Sequence, residues 1–347
     1  MTTSPASSPI LSVPISVLDV APVPRGTSSA EALASALAYA DAADRLGFHR
    51  IWYAEHHNMP GIASSAPEVL IATVAARTSR IRVGSGGVML PNHAPLMVAE
   101  RFGTLEELHP GRIDLGIGRA PGSDQRTMWA LRRETGLRGQ DLPELLDELF
   151  GYFEGFPDDH PMHGLRATPG YGHMPELWLL GSSGSSAQLA AHRGLPFATA
   201  HHFSPAATVP SMRMYREHYQ PSERYPTPQG LVTVQVVVAD TEQQARSIAD
   251  AFALMFLRMR QGHPPDKMLN AEDIAAHPWT DDERAFADQL IAGQAVGTPE
   301  QVIARLAELI SDTGATEIMA TTMAPEPADR MRSLELLAAA ASLQAVA

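Results

Sequence analysis

Short apolar runs alternate with longer amphipathic ones along nearly the whole chain. A short run bounded by glycine or proline reads as a buried strand, and an apolar repeat every three to four residues reads as one helix face. On that reading, strands fall at 15–20, 50–54, 81–87, 112–118, 177–180, 196–200, 231–238 and 316–320. Helices fill the intervals. The first starts behind Ser28 or Ser29 as a cap, runs to Leu46 and stops at Gly47. Others are expected at 67–77, 95–109, 187–193, 205–219, 241–260, 284–291, 299–311 and 327–343. A long helical region at 124–153 carries a break near Gly136 to Gly139. The stretch 261–282, rich in proline, histidine and charge, reads as an excursion from the core.

Eight strands each followed by helix, with no domain-like linker, predict a closed (β/α)8 TIM barrel over 1–347 with an insertion near 261–282. A doubly wound sheet is the alternative. It normally places a glycine-rich fingerprint in the first strand-to-helix turn, and APVPRG at 21–26 is not one.

Composition narrows the function. The formal charge of −13, with no basic run, argues against nucleic acid and anionic membrane surfaces. Lys267 is the chain's one lysine, so no Walker-type GK[ST] exists, and a Schiff-base lysine is disfavoured. The lack of cysteine excludes disulfides, thiolate metal sites and cysteine nucleophiles. The first residues lack a charged leader and a sustained apolar run, and no later segment reads as a membrane span, so a soluble cytoplasmic protein is expected.

In a β/α barrel, functional groups lie at the carboxyl ends of the strands. Those positions hold Asp19, Glu55-His56-His57, Ser85-Gly86-Gly87, Arg119, Ser182, Ser183, Ser185 and Ser186 around Gly184, and His201-His202. Gly116 and Gly118 inside one strand imply that something bulky approaches its backbone. Arg119 at that strand's end suits a phosphate, gripped by a planar fork of donors, or else an ion pair with a surface acid. The serine cluster runs into a helix start and makes either an anion seat or an ordinary cap. Gly84 to Gly87 leave a strand end almost bare, so a flat ring can lie on the backbone. Adjacent strand residues point in opposite directions, so Glu55, His56 and His57 do not converge as metal ligands. His56 reads as a general base, a hydrogen-bond donor or a structural histidine. His201 and His202 read as wall residues.

Five stretches taken together resemble the bacterial luciferase-like flavin-dependent monooxygenases. They are WYAEHHNMPGIASSAPEVL at 52–70, RIRVGSGGVMLPNHAPLMVAE at 80–100, HPGRIDLGIGRAPG at 109–122, GSSGSSAQLAAHRGLP at 181–196 and VGTPEQVIARL at 296–306. The likeness runs from Ser16 to about Ala324 and is closest to an actinobacterial subgroup, some of whose members tailor aromatic polyketides. The resemblance implies a β/α barrel holding reduced FMN, or F420 in a sister branch, at its carboxyl face. It implies a phosphate grip by Arg119 with Ser182, Ser183 and Ser186, and a base at His56. It matches Ser85-Gly86 to a bulge that often holds a non-proline cis peptide beside the flavin. A second phosphate arginine is expected among Arg132, Arg133 and Arg138. Gly118 stands where the luciferase catalytic subunit has a reactive cysteine, so light emission is not implied.

The implied reaction is oxygenation of a small organic substrate by O₂ through a flavin C4a-hydroperoxide, with FMNH₂ delivered by a separate reductase. The 261–282 excursion is the expected lid, because water must be excluded. A homodimer is implied, packed through the small-residue helix faces at 66–77 and 95–109. The rival functions are an F420-dependent oxidoreductase, a non-catalytic flavin-binding protein and a metal-dependent barrel hydrolase. The hydrolase requires ligands where the first strand offers only Asp19.

Overall fold

The computed structural model describes residues 11–119, 125–132, 142–263 and 266–345. Its strands are β1 Ile15–Asp19, β2 Arg50–Tyr53, β3 Arg82–Ser85, β4 Val88–Met89, β5 Ile113–Gly118, β6 Glu176–Gly181, β7 Phe197–Ala200, β8 Gly230–Val238, β9 Ala295–Gly297 and β10 Glu317–Thr321. Eight of them pair in parallel in the order β10-β1-β2-β3-β5-β6-β7-β8, and pairing of β8 with β10 closes the ring. The barrel expected from the sequence is therefore present. Two short strands escaped the periodicity: β4 extends the sheet beside the upper half of β5, and β9 lies beside the end of β8. Two or three residues are too few to show a period.

Strand alternation divides the core. Val17, Ile51, Val83 and Leu115 point outward and pack beneath the helices, while Leu18, Trp52, Trp178 and Met319 point into the barrel. The helices follow local signals. Ser28 caps Ser29–Leu46 through a reciprocal capping box with Glu31, and Gly47 ends it at φ 89°, a left-handed turn that glycine adopts without strain. Thr280 and Glu283 form a second box that starts Asp281–Ala292, three residues before the sequence reading placed it. The region 124–153 contains two helices, Gln125–Arg132 and Leu142–Glu154, and the anticipated break at 136–139 lies outside the described residues.

The excursion at 261–282 contains a one-turn helix, Ala271–Ala275, and a bridge from Met268 to Pro24. Arg25 pairs with Asp266 and Asp273 across that junction, but these ions are half exposed and contribute little. No helix among the described residues is long and apolar enough to cross a membrane.

The amino-terminal end of the barrel is filled by charge. Arg50 is buried, its Nη1 lying 2.8 Å from Asp114 and its Nε 2.8 Å from Glu317. Arg82 Nε donates to Asp114 at 2.8 Å and its Nη2 reaches Glu176 at 3.1 Å. Ser16 donates to Glu317 as well. Burial pushes the Glu317 carboxyl upward, against the pull of Arg50. Trp52 donates its indole N–H to Asp114 and Trp178 donates to Glu176, each at 2.8 Å. The two rings meet edge to face at 5.6 Å, with the Arg50 guanidinium 5.0 Å from the Trp178 ring. The tryptophans thus roof the charged layer.

Candidate active site

Above the tryptophans, at the carboxyl ends of the strands, lies a cavity of about 940 Å³. Its walls are mostly apolar, and among the described residues Arg119 is the only charged side chain that lines it apart from histidines.

Arg119 follows Gly118, which pairs with Leu180, so the arginine stands beside Gly181 and Ser182. It is exposed and forms no ion pair among the described residues. Ser183 is the N-cap of the helix Gly184–Arg193 but makes no capping bond, and its Oγ lies 3.1 Å from Ser185 Oγ. Amide groups of that first turn are thereby left without the usual side-chain acceptor. A side chain at Gly181 would place its Cβ 2.4 Å from Ser186 Cβ, so glycine lets the helix start sit directly on the strand end. Arg119, Ser182, Ser183 and Ser186 all line the cavity. The second arginine stays unassigned: Arg133 and Arg138 lie outside the described residues, as does the Arg132 side chain.

Between β3 and β4 the chain bulges at Gly86 and Gly87, which are joined by a cis peptide and line the cavity. The sequence resemblance placed that bond one residue earlier. Ser85 differs from the expectation too. It is fully buried, and its Oγ donates to Gly116 O at 2.9 Å and accepts from Gly116 N at 3.0 Å, so it ties the bulge to β5 and does not line the cavity. This explains the glycines of β5. A Cβ on Gly116 would lie 2.1 Å from Ser85 O, and one on Gly118 would lie 2.8 Å from Met89 Sδ. The bulky neighbour inferred from sequence is the chain's own bulge.

Neighbouring histidines part company. His56 lines the cavity, whereas His57 turns to Glu55, Nε2 to Oε1 at 2.8 Å. Glu55 is almost wholly buried and also meets His93 at 3.0 Å and the Met89 amide at 3.0 Å. Burial opposes its ionisation, but these donors outweigh it and bring the carboxyl down to about 2. Glu55 therefore clamps the end of β2 to the segment after the bulge. His93 stands inside the stretch at 80–100 that carries the family resemblance, but no role was read for it.

The second pair repeats the division and corrects one expectation. His201 is not a wall residue: its Nε2 donates to Gly293 O at 2.7 Å, and its Nδ1 lies 3.0 Å from the Thr208 hydroxyl. His202 does line the cavity, with Nδ1 on the Thr233 carbonyl at 3.1 Å. Burial pulls His202 down to about 4, helped by His201 and His56 against the Thr233 carbonyl, so its ring is neutral near pH 7. Asp19 is likewise structural, buried against Arg330 at 2.7 Å and accepting from Ala21 N. Among the described residues no three histidines or carboxylates are grouped so as to hold a metal ion.

The far wall was not read from the sequence. It comes from Phe252, Met255 and Met259 on the helix Glu242–Arg260 and from Met319 and Met323 in and after β10. The amphipathic pattern of that helix was visible, but nothing showed that part of its apolar face lines a void.

The family model for luciferase-like monooxygenases matches residues 13–317. YvbT of Bacillus subtilis is 47% identical over 93% of this chain and 95% of its own length. The luciferase-like monooxygenase of Escherichia coli K12 is 42% identical over 93% of this chain and 96% of its own. Among solved structures, apo-MsnO8 superimposes with a TM-score of 0.86 at 38% identity, covering 96% of this chain and 99% of that one. Two distant structures share the fold alone. One is the oxygenating constituent of 3,6-diketocamphane monooxygenase from Pseudomonas putida in complex with FMN, at 21% identity and TM-score 0.69. The other is an F420-dependent secondary alcohol dehydrogenase, at 14% and 0.65. By both the family match and these identities, the chain belongs to the luciferase-like monooxygenase family, and it is an enzyme of that kind.

Proposed function

We propose that the protein uses reduced FMN and O₂ to oxygenate a small organic substrate in the cavity at the carboxyl end of the barrel. The reading is carried by one observation. Arg119, Ser182, Ser183, Ser186 and an uncapped helix N-terminus converge at one side of an otherwise apolar cavity. A guanidinium fork, hydroxyls and free amide N–H groups are the donor set that a phosphate dianion requires. At Gly86 and Gly87 the backbone itself forms the wall, which suits a flat ring. The volume, about 940 Å³, lies at the upper end of the range for small-molecule sites, so cofactor and substrate fit together.

When bound, reduced FMN supplies two electrons and the ring that reacts with O₂. The chain's own residues do the rest. Arg119 and the serine loop would hold the phosphate, the backbone at Gly86 and Gly87 would offer the ring a bare wall, and the apolar walls would keep water from the reacting atoms. His56, at the wall, takes a proton from substrate or donates a hydrogen bond at one of its ring nitrogens. The Glu55 clamp holds Met89, and with it the bulge, in place. The excursion at 261–282 closes over one flank: Met268 and Leu269 line a smaller void, about 70 Å³, that shares Met255 and Met259 with the main cavity.

The same reading gives the protein a separate flavin reductase as electron source, a second copy of the chain as partner and the cytoplasm as its place. Aromatic polyketide tailoring is one use it would serve. FMN is preferred over F420 because the similarity to luciferase-like monooxygenases is far closer than to the F420-dependent dehydrogenase. Anaerobic titration with FMNH₂ and with F420H₂, followed by admission of O₂, tests this. We expect FMNH₂ to bind more tightly and the loaded protein to consume O₂. Tighter F420H₂ binding without O₂ uptake would move the assignment to an F420-dependent oxidoreductase, and flavin binding without any turnover would leave a binding protein.

A further inference from the structure

His201 and His202 are neighbours with opposite hydrogen-bond states. Both ring nitrogens of His201 are engaged, by Gly293 O and the Thr208 hydroxyl. His202 engages only Nδ1, and its partner is a carbonyl oxygen, which can only accept. Nδ1 must therefore carry the hydrogen, and the neutral ring leaves Nε2 as a bare acceptor. That atom has no hydrogen-bond partner among the described residues, and the ring lines the cavity. An acceptor that opens on a mostly apolar cavity is placed to meet a donor on a ligand.

The surroundings define that ligand. The His202 ring lies 4.0 Å from the Phe203 ring, Phe203 lies 5.8 Å from Phe256, and Phe256 lies 4.7 Å from Phe252. Of these, His202, Phe203 and Phe252 line the cavity together with Met255 and Met259, and they suit a flat apolar ring. Among the described residues the cavity's charged side chain, Arg119, stands at the phosphate seat, so none of them offers a second cation to a substrate carboxylate. His202 follows β7, three strands round the barrel from the Gly86–Gly87 bulge above β3 and next to the β6 end that carries the serines.

We propose that His202 reads the substrate: its Nε2 accepts a hydrogen bond from the hydroxyl of an uncharged hydroxylated aromatic compound. The inference rests on the reading of this cavity as a flavin monooxygenase site. It is tested by calorimetric titration of the FMN-loaded protein with 2-naphthol, 2-methoxynaphthalene and 2-naphthoate. The parent should bind 2-naphthol about tenfold more tightly than its methyl ether, the worth of one hydrogen bond to a neutral acceptor, and more tightly than the carboxylate. His202→Phe should erase the preference for the hydroxyl at pH 8 while FMN affinity holds. His202→Gln, which retains an acceptor oxygen, should restore part of it. An undiminished preference in His202→Phe overturns the assignment, and so does failure of the parent to bind 2-naphthol at millimolar concentration. Loss of FMN affinity in His202→Phe with the hydroxyl preference intact also overturns it, by giving His202 to the cofactor. A His202-dependent hydroxyl preference in a protein that binds no FMN supports the residue's role and overturns only the cofactor reading.

Discussion

The two ends of this barrel are built from the same eight strands and solve opposite problems. At the amino-terminal end Arg50, Arg82, Asp114, Glu176 and Glu317 are matched to one another and to two indole N–H groups. At the carboxyl end Arg119 has no ion pair among the described residues, Ser183 caps nothing, and His202 keeps a bare nitrogen. Charge alone therefore does not mark a functional site. The end whose charges are all matched to one another is the structural one, because each ion there meets a partner at fixed geometry. The functional end is where donors and acceptors are held in place without partners.

The comparison breaks most visibly at Arg50. Arg50→Met should cost about 3–5 kcal/mol of stability, because Glu317 and Asp114 stay buried without their shared cation. Denaturant unfolding measures the loss. FMN affinity per folded molecule should not change, and a large change would mean that the two ends are not independent.

Acid probes the carboxyl end. His202 holds its pKa near 4 against 6.5 in the unfolded chain, so below pH 6.5 the unfolded state takes up a proton that the folded state refuses. Stability present above pH 6.5 should fall by about 3 kcal/mol as pH drops to 4. Glu55, at about 2 against 4.5, extends the loss from pH 4.5 down to 2, since its carboxylate stabilises the fold above that window. Unfolding free energies measured across pH should show both phases, with His202→Phe flattening the upper and Glu55→Gln the lower.

His56 and His57 sharpen the same contrast within two residues. His56→Ala should lower turnover about a hundredfold with FMN affinity nearly unchanged. His57→Ala, which removes a partner of Glu55, should lower thermal stability and spare activity per folded molecule. Single-turnover substrate oxidation in both variants separates the two. Equal oxidation by His56→Ala and the parent ends the catalytic role.

Much of this was legible beforehand, for physical reasons that also set the limits. Eight buried strands read as apolar runs because helices cover their outer faces and side chains fill the barrel within. The residues proposed to hold the phosphate stood out since an arginine after a strand and serines before a helix are local signals. Side-chain direction beyond a strand's end was not. The bulge turns Ser85 into the sheet, and sequence alone gave no way to choose between His201 and His202. Asp19 sits where function is expected, yet its partner is Arg330, near the other end of the chain. The charged layer went unread because its five members are scattered from Arg50 to Glu317 and meet only when the barrel closes.

The central claim is that Arg119 and the serine loop hold the cofactor's phosphate. The most direct measurement compares FMN with riboflavin, which lacks that phosphate, in the parent and in Arg119→Ala. The parent should prefer FMN. Arg119→Ala should lose about 1.5–3 kcal/mol of FMN affinity, roughly ten- to a hundredfold, while riboflavin binding and the thermal midpoint hold. An Arg119→Ala protein that keeps the parent's full preference for FMN over riboflavin would contradict the account.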